Sequence, residues 1–128
     1  MHEAGIALNL IEAVQRRLAE ETVAPVAPGA RVTAIHVRVG ELAGVSTDAL
    51  DFAFECLSAH GPLAGARLVF DPVPLTVRCE DCGRTTPVED LVFRCGACGS
   101  ERTRVASGRE LEVRTLELEE GAVAGARD

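Results

Sequence analysis

The first twenty residues repeat apolar side chains at helical spacing. The apolar positions follow the i, i+3, i+4, i+7 pattern and therefore share one helix face: Ala7, Leu10, Ile11, Val14 and Leu18. This pattern predicts an amphipathic helix over residues 4–21, with the carboxylate of Glu3 at its electropositive start. Prolines and a glycine within 25–29 predict that the helix ends before them.

Alternation of side chains over residues 31–40 predicts a β-strand. One face would carry Ile35, Val37 and Val39, and the other Ala34, His36 and Arg38. A second helix is predicted from the capping residues Ser46 and Thr47 to about His60, where Gly61 and Pro62 end it. Its predicted inward positions are Leu50, Ala53, Phe54 and Leu57.

The second half of the chain carries further strand patterns. Residues 66–78 predict one strand bent at Pro72 and Pro74, and prolines place such a strand at a sheet edge or a bulge. A polar connection over 100–108 leads to a last strand over 110–119, whose alternation changes phase at Leu116. The order of elements predicts an α+β domain: a small sheet of about three strands with two helices and an inserted four-cysteine zinc loop.

Four cysteines form two CxxC pairs, Cys79/Cys82 and Cys95/Cys98, and a glycine follows each pair. Two turned pairs of soft thiolates suit a closed tetrahedral zinc site, in which the metal holds the fold and leaves no open position for a substrate. A disulfide framework and an iron–sulfur or thiol redox site are the alternatives for this spacing. The fifth cysteine, Cys56, is expected to be a small buried hydrophobic residue of the second helix.

The charge of the chain excludes one class of partner. With 20 acidic and 13 basic residues, its formal net charge is -7. Proteins that bind nucleic acid need a basic face, so none is expected here. The acidic first helix resembles neither a signal peptide nor a membrane span, which predicts a cytoplasmic protein away from membranes. The sequence lacks a phosphate-binding glycine loop and a nucleophile elbow, so we do not expect an enzyme.

Among the three histidines, His2 occupies the position with a distinct chemistry. The amine of Met1, the backbone nitrogen of residue 2 and the His2 imidazole can close fused chelate rings on one ion. Such nitrogen donors favour square-planar Ni(II) or Cu(II) over tetrahedral zinc. The alternative is an idle, frayed terminus. His36 and His60 are expected to serve packing or the surface, and Glu41 and Asp48 to act as loop and cap carboxylates.

Together these residues resemble a known family. The start Met1-His2-Glu3, the run Val39-Gly40-Glu41, the segment 52–55 and the two CxxC pairs before a last acidic strand are similar to the HypA/HybF family. Its members are nickel metallochaperones of NiFe-hydrogenase maturation, and the similarity extends from Met1 to about residue 119. Many members have serine where this chain has Gly5. Some members recruit an acid after the first strand as a further ligand; here Ser46 falls near that place and Asp48 two residues on, so a fourth side-chain ligand is left open.

The resemblance implies that His2 binds Ni(II) together with the terminal amine and the backbone nitrogens around Glu3. It implies structural Zn(II) at Cys79, Cys82, Cys95 and Cys98. Residues 1–78 plus 107–128 would form the nickel-binding domain and 79–106 the zinc-binding domain. The implied partners are a HypB-type GTPase and the hydrogenase large-subunit precursor, with urease as a client in some organisms; a homodimer is left open. The alternative function is a zinc-ribbon protein-interaction module without a nickel role.

Overall fold

The computed structural model describes residues 2–20 and 31–119. In these ranges the chain forms two helices and six strands: α1 Glu3–Glu20, β1 Arg31–Gly40, α2 Thr47–Ser58, β2 Arg67–Val73, β3 Thr76–Cys79, β4 Thr85–Pro87, β5 Thr103–Ser107 and β6 Leu111–Glu119. The strands make two three-stranded sheets, in the orders β2-β1-β6 and β4-β3-β5. The predicted α+β class is confirmed. The amine of Met1, the helix end at 21–29 and the tail after residue 119 lie outside the described residues.

The two helices bury the stripes that their periodicity predicts, with one exception. Ala7, Leu10 and Val14 are buried on α1, and α1 contacts α2. On α2, the prediction for Leu57 is wrong, because its side chain is 44 % exposed. The buried stripe of this helix follows the i, i+4 row of Leu50, Phe54 and Ser58, and Leu57 lies at the edge of that row.

Cys56 is exposed, so its predicted burial is wrong. The residue lies two positions after Phe54, which is 1 % exposed. Two positions correspond to about 200° around a helix, so the two side chains face opposite directions. The Cys56 thiol is therefore on the outer surface of α2.

Residues 66–78 form two strands, and the predicted single bent strand is wrong. β2 ends at Val73 and β3 begins at Thr76, and the two strands belong to different sheets. Between them, Pro74 has no N–H to donate. The N–H of Leu75 donates to the carboxylate of Glu41 at 3.1 Å, outside any strand ladder. The predicted edge position holds for β2, an outer strand of its sheet, and is wrong for β3, which is the central strand of its sheet.

Strand β5 arises within the stretch that was predicted to be a polar connection. It pairs antiparallel with β3, and Val77 lies opposite Val105. The half-buried positions of β5 alternate as in a strand, but two of the three are Thr103 and Ser107. A strand with one large apolar residue gives a weak signal in the sequence.

The chain divides into two compact units. The first contains the described parts of Met1–Val37, Val45–Phe70 and Glu112–Asp128. Its fully buried side chains include Val14, Ile35, Leu50 and Phe54. The second contains Arg38–Gly44 and Asp71–Leu111, with Leu75, Val77, Cys79 and Cys95 in its core. The functions assigned to 1–78 plus 107–128 and to 79–106 stay a prediction.

Two glycines of the second unit let two chain segments approach each other closely. A Cβ on Gly40 would lie 2.1 Å from the carbonyl carbon and oxygen of Gly108, which leaves no room for a side chain. The N–H of Gly40 donates to the carbonyl of Glu110 at 2.8 Å, and that of Leu42 to the carbonyl of Gly108 at 2.7 Å. Gly40 is thus required by the close approach of the two backbones.

Candidate metal centre

The four cysteines of the CxxC pairs converge on one point of the second unit. Their sulfur atoms all lie within 4.8 Å of one another. The Sγ atoms of Cys79 and Cys98 are 3.5 Å apart, and those of Cys82 and Cys95 are 3.6 Å apart. Four zinc–sulfur bonds of about 2.3 Å span a tetrahedron with edges of about 3.8 Å, so the donor set fits one tetrahedral ion. These distances exceed a sulfur–sulfur bond of about 2.05 Å, which excludes disulfides within the cluster.

Each CxxC pair forms the same turn, called here the first knuckle (79–83) and the second knuckle (95–99). In the first, the N–H groups of Asp81 and Cys82 donate to Cys79 Sγ, both at 3.3 Å. The N–H of Gly83 donates to the carbonyl of Cys79 at 3.0 Å, and Gly83 has a φ of 80°. Glycine adopts this left-handed conformation without a steric penalty, which explains its place after the pair.

The second knuckle repeats this geometry. Ala97 and Cys98 donate their N–H groups to Cys95 Sγ at 3.3 and 3.4 Å. The N–H of Gly99 donates to the carbonyl of Cys95 at 2.9 Å, and its φ is 79°. The two knuckles therefore present their first cysteines in equivalent environments.

Hydrogen bonds from the backbone prepare both of these sulfurs to bind a cation. The N–H of Cys82, more than that of Asp81, lowers the pKa of Cys79 because it stabilises the thiolate. The N–H of Cys98 in the same way lowers the pKa of Cys95 to about 6. A thiolate is the form that ligates metal, so the backbone of each knuckle favours the ligating form of its first cysteine.

An ionic network surrounds the first knuckle. Arg102 donates to the Asp81 carboxylate at 2.7 Å and lies 3.7 Å from the Glu80 carboxylate. Glu80 also pairs with Arg104. The Ser100 hydroxyl donates to the second oxygen of Asp81 at 2.5 Å. These contacts tie the first knuckle to the segment that leads into β5.

His2 and Glu3, the predicted nickel residues, lie at the start of α1 in the first unit. His2 is exposed, and its carbonyl accepts the N–H of Ile6 at 3.1 Å. Glu3 is the first residue of the helix. Its carboxylate accepts the N–H of Ser46 at 3.1 Å, and this hydrogen bond lowers its pKa.

The other polar residues singled out in the sequence either form hydrogen bonds within the fold or are exposed to solvent. His36 Nε2 lies 2.6 Å from a carboxylate oxygen of Glu117. His60 and Asp48 are exposed. The contacts of Glu3 with Ser46 and of Glu41 with Leu75 were not predicted, because each joins residues more than thirty positions apart. Among the described helices, none combines the length and apolar character that crossing a membrane requires.

These features define a class: a small α+β protein in which two knuckles bring four cysteines together in a cluster that could hold a metal ion. The family model described as "Hydrogenase/urease nickel incorporation, metallochaperone, hypA" matches residues 1–118. The chain belongs to the HypA family of metallochaperones. The predicted family is thereby confirmed.

Relatives match over nearly their full length. The chain is 45 % identical over 121 residues to the hydrogenase maturation factor HypA of Roseiflexus sp. strain RS-1, covering 94 % of each chain. It is 42 % identical over 120 residues to that of Chlorobaculum tepidum, covering 93 % of this chain and 100 % of the relative. The solution structure of the Ni metallochaperone HypA from Helicobacter pylori has the same fold, with a TM-score of 0.65 and 21 % identity over 92 % of this chain and 97 % of that chain.

Proposed function

We propose that this protein is a nickel metallochaperone that binds Ni(II) at its N-terminus and delivers it for NiFe-hydrogenase maturation. The observation that carries the proposal is the match to the nickel-incorporation family from residue 1 to residue 118. Nickel is the cargo of this activity. In the proposal, His2 supplies its imidazole, and the terminal amine and the backbone nitrogens of residues 2 and 3 supply the other donors.

The position of His2 and Glu3 supports this role. The first N–H groups of an α-helix have no partner within the helix, so the amide of Glu3 is not needed for α1. A metal can replace the proton of that amide without breaking a helical hydrogen bond. The side chain of Glu3 already holds the N–H of Ser46 at 3.1 Å, which supports a positioning role for the carboxylate and a ligand role for the backbone.

We assign the second metal, Zn(II), to Cys79, Cys82, Cys95 and Cys98. All four protein positions of a tetrahedral site are filled by thiolates that lie within 4.8 Å of one another, which supports a structural ion. A set of reduced thiolates also agrees with action in the cytoplasm. The partners of the proposed pathway are a HypB-type GTPase and the hydrogenase large-subunit precursor.

A nickel titration of zinc-loaded protein tests the proposal. Wild type should bind about one Ni(II) per chain with a square-planar absorption spectrum. His2→Ala removes the imidazole, and a short N-terminal extension converts the Met1 amine into a peptide nitrogen, so both variants should lose this binding. His60→Ala is the matched control, since His60 is also exposed. If all variants bind nickel alike, or none does, the chain is better described as a zinc-stabilised interaction module.

A further inference from the structure

Three consecutive apolar side chains are exposed between the two knuckles. Leu91 is 68 % exposed, Val92 53 % and Phe93 38 %. Residues 89–93 are called the tip below. Single apolar residues are common on protein surfaces. A contiguous exposed run of apolar side chains is unfavourable in water and is typical of an interaction site.

The backbone of the tip holds Leu91 in an unfavourable conformation. The N–H of Val92 donates to the carbonyl of Glu89 at 3.0 Å, closing a two-residue turn. Its central residues, Asp90 and Leu91, have φ values of 55° and 59°. Among the residues that the structure describes, Asp90 and Leu91 are the only ones other than glycine with a positive φ. Such a turn favours asparagine and glycine, so a leucine at this position lowers the stability of the fold. A destabilising residue of this kind suggests that its side chain serves a function.

Hydrogen bonds on both sides fix the tip to the second unit. The N–H of Val88 donates to the carbonyl of Leu75 at 3.0 Å. The hydroxyl of Thr103 donates to the carbonyl of Phe93, also at 3.0 Å. The apolar side chains are therefore presented on an ordered turn, which lowers the entropic cost of binding a partner.

The charges around the tip indicate what kind of surface it fits. Glu89 and Asp90 are exposed, while Arg94, the nearest basic residue in the sequence, pairs with Glu101 at 3.1 Å. A cavity of about 610 Å³ adjoins the tip, and both acids contribute to its lining. Two copies meeting tip to tip would place these acids against each other, which disfavours a second copy as the occupant.

We propose that the tip docks into an apolar cleft, rimmed by arginine or lysine, on a partner protein, with Leu91 inserted in the cleft. The apolar run would supply the affinity, and Glu89 and Asp90 would pair with the basic rim. This inference depends on the proposed function in one respect: the partner is taken to be one of the two maturation proteins, the HypB-type GTPase or the hydrogenase large-subunit precursor.

Binding of purified, zinc-loaded protein to the purified hydrogenase large-subunit precursor, and separately to the purified HypB-type GTPase, tests the proposal. Leu91→Gly should weaken the Kd for one partner at least about tenfold. Leu91→Met, which keeps an apolar side chain, should bind within about twofold of wild type. The thermal midpoint of Leu91→Gly should not fall, because glycine adopts a positive φ freely. A purely structural role of Leu91 would instead lower that midpoint and leave the Kd unchanged.

Asp90→Asn gives a second measurement, because asparagine tolerates the same backbone conformation without the charge. It should weaken binding less than Leu91→Gly and make the Kd less sensitive to salt. The proposal is overturned if Leu91→Gly binds both proteins as wild type does, if wild type binds neither, or if Leu91→Gly dissociates a homodimer. The nickel titration is independent of the tip, so retained His2-dependent nickel binding with unchanged Leu91→Gly affinity would refute the docking surface alone.

Discussion

The carboxylate of Glu3 accepts a hydrogen bond from the backbone N–H of Ser46, with 3.1 Å between the two atoms. Glu3 is the first residue of α1 and Ser46 is the N-cap of α2, so one contact joins the starts of both helices. The helix dipole of α1 also favours a negative charge at this position. The residue after His2 is thereby held in place against a second element of the same unit.

Glu3→Gln should lower the thermal stability of the protein at neutral pH, because it removes the charge that accepts the Ser46 N–H. The pKa of Glu3 is lowered in the folded protein by this hydrogen bond. A carboxyl with a lowered folded pKa stabilises the fold above its ordinary value of 4.5 and loses that effect as the pH falls through the folded pKa. The difference in thermal midpoint between wild type and Glu3→Gln should thus shrink toward zero as the pH falls below that value.

Glu12→Gln is the matched control, since Glu12 is an exposed carboxylate on the same helix. The thermal midpoint of Glu12→Gln should differ little from that of wild type, both at neutral pH and in acid. A difference for Glu3→Gln that persists unchanged in acid would contradict a role for the ionised carboxylate. Loss of nickel binding in Glu3→Gln, with the stability intact, would instead indicate that the Glu3 side chain ligates the ion.

Two glycine-to-alanine substitutions should change stability in opposite directions. Gly40→Ala would place a Cβ 2.1 Å from the Gly108 backbone, and the clash should lower the free energy of unfolding by about 3 kcal/mol. Gly5→Ala meets no atom within 4 Å and replaces glycine inside α1, so it should raise that free energy by roughly 1 kcal/mol. Chemical denaturation of the zinc-loaded variants measures both. Equal effects of the two substitutions would rule out the close approach at Gly40.

Removal of one knuckle cysteine should abolish zinc binding, while removal of the fifth cysteine should not. Cys95→Ser replaces a buried thiolate of the cluster, and we expect its zinc content to fall well below one ion per chain with loss of structure in the second unit. Cys56→Ser changes an exposed side chain on α2 and should keep its zinc and its thermal midpoint. Elemental analysis and circular dichroism measure the two properties. Zinc retained in full by Cys95→Ser would argue against the four-thiolate assignment.

Periodicity and motif spacing predicted the parts of this protein that depend on local sequence. The stripe of Ala7, Leu10 and Val14, the strand over Arg31–Gly40 and the convergence of the CxxC pairs all follow from residues close together in the chain. The run Gly40-Glu41 contributed to the family resemblance, but its physical role depends on distant partners. Gly108 and Leu75 lie more than thirty positions away, so no local pattern could indicate the close approach or the hydrogen bond.

The incorrect predictions have the same origin. Pro72 and Pro74 suggested a bend in one strand, yet β2 and β3 belong to different sheets, and between them the N–H of Leu75 donates to Glu41 outside any strand ladder. Strand β5 carries little apolar signal and is stabilised by pairing with β3. Whether Leu57 and Cys56 are exposed depends on which part of the α2 surface is covered by neighbouring elements. Periodicity indicates the middle of the buried face but not where that face ends.

The hydrogen bond between Glu41 and Leu75 offers a last test of how the second unit is held together. The N–H of Leu75 donates to the Glu41 carboxylate at 3.1 Å, and Leu75 itself is 3 % exposed. Glu41→Ala leaves this N–H without its acceptor and should lower the free energy of unfolding by about 1–2 kcal/mol. Glu41→Gln keeps a carbonyl oxygen at the same reach, so most of the stability should return. If both variants lose the same free energy of unfolding, the charge of Glu41 and not its capacity to accept a hydrogen bond stabilises the second unit.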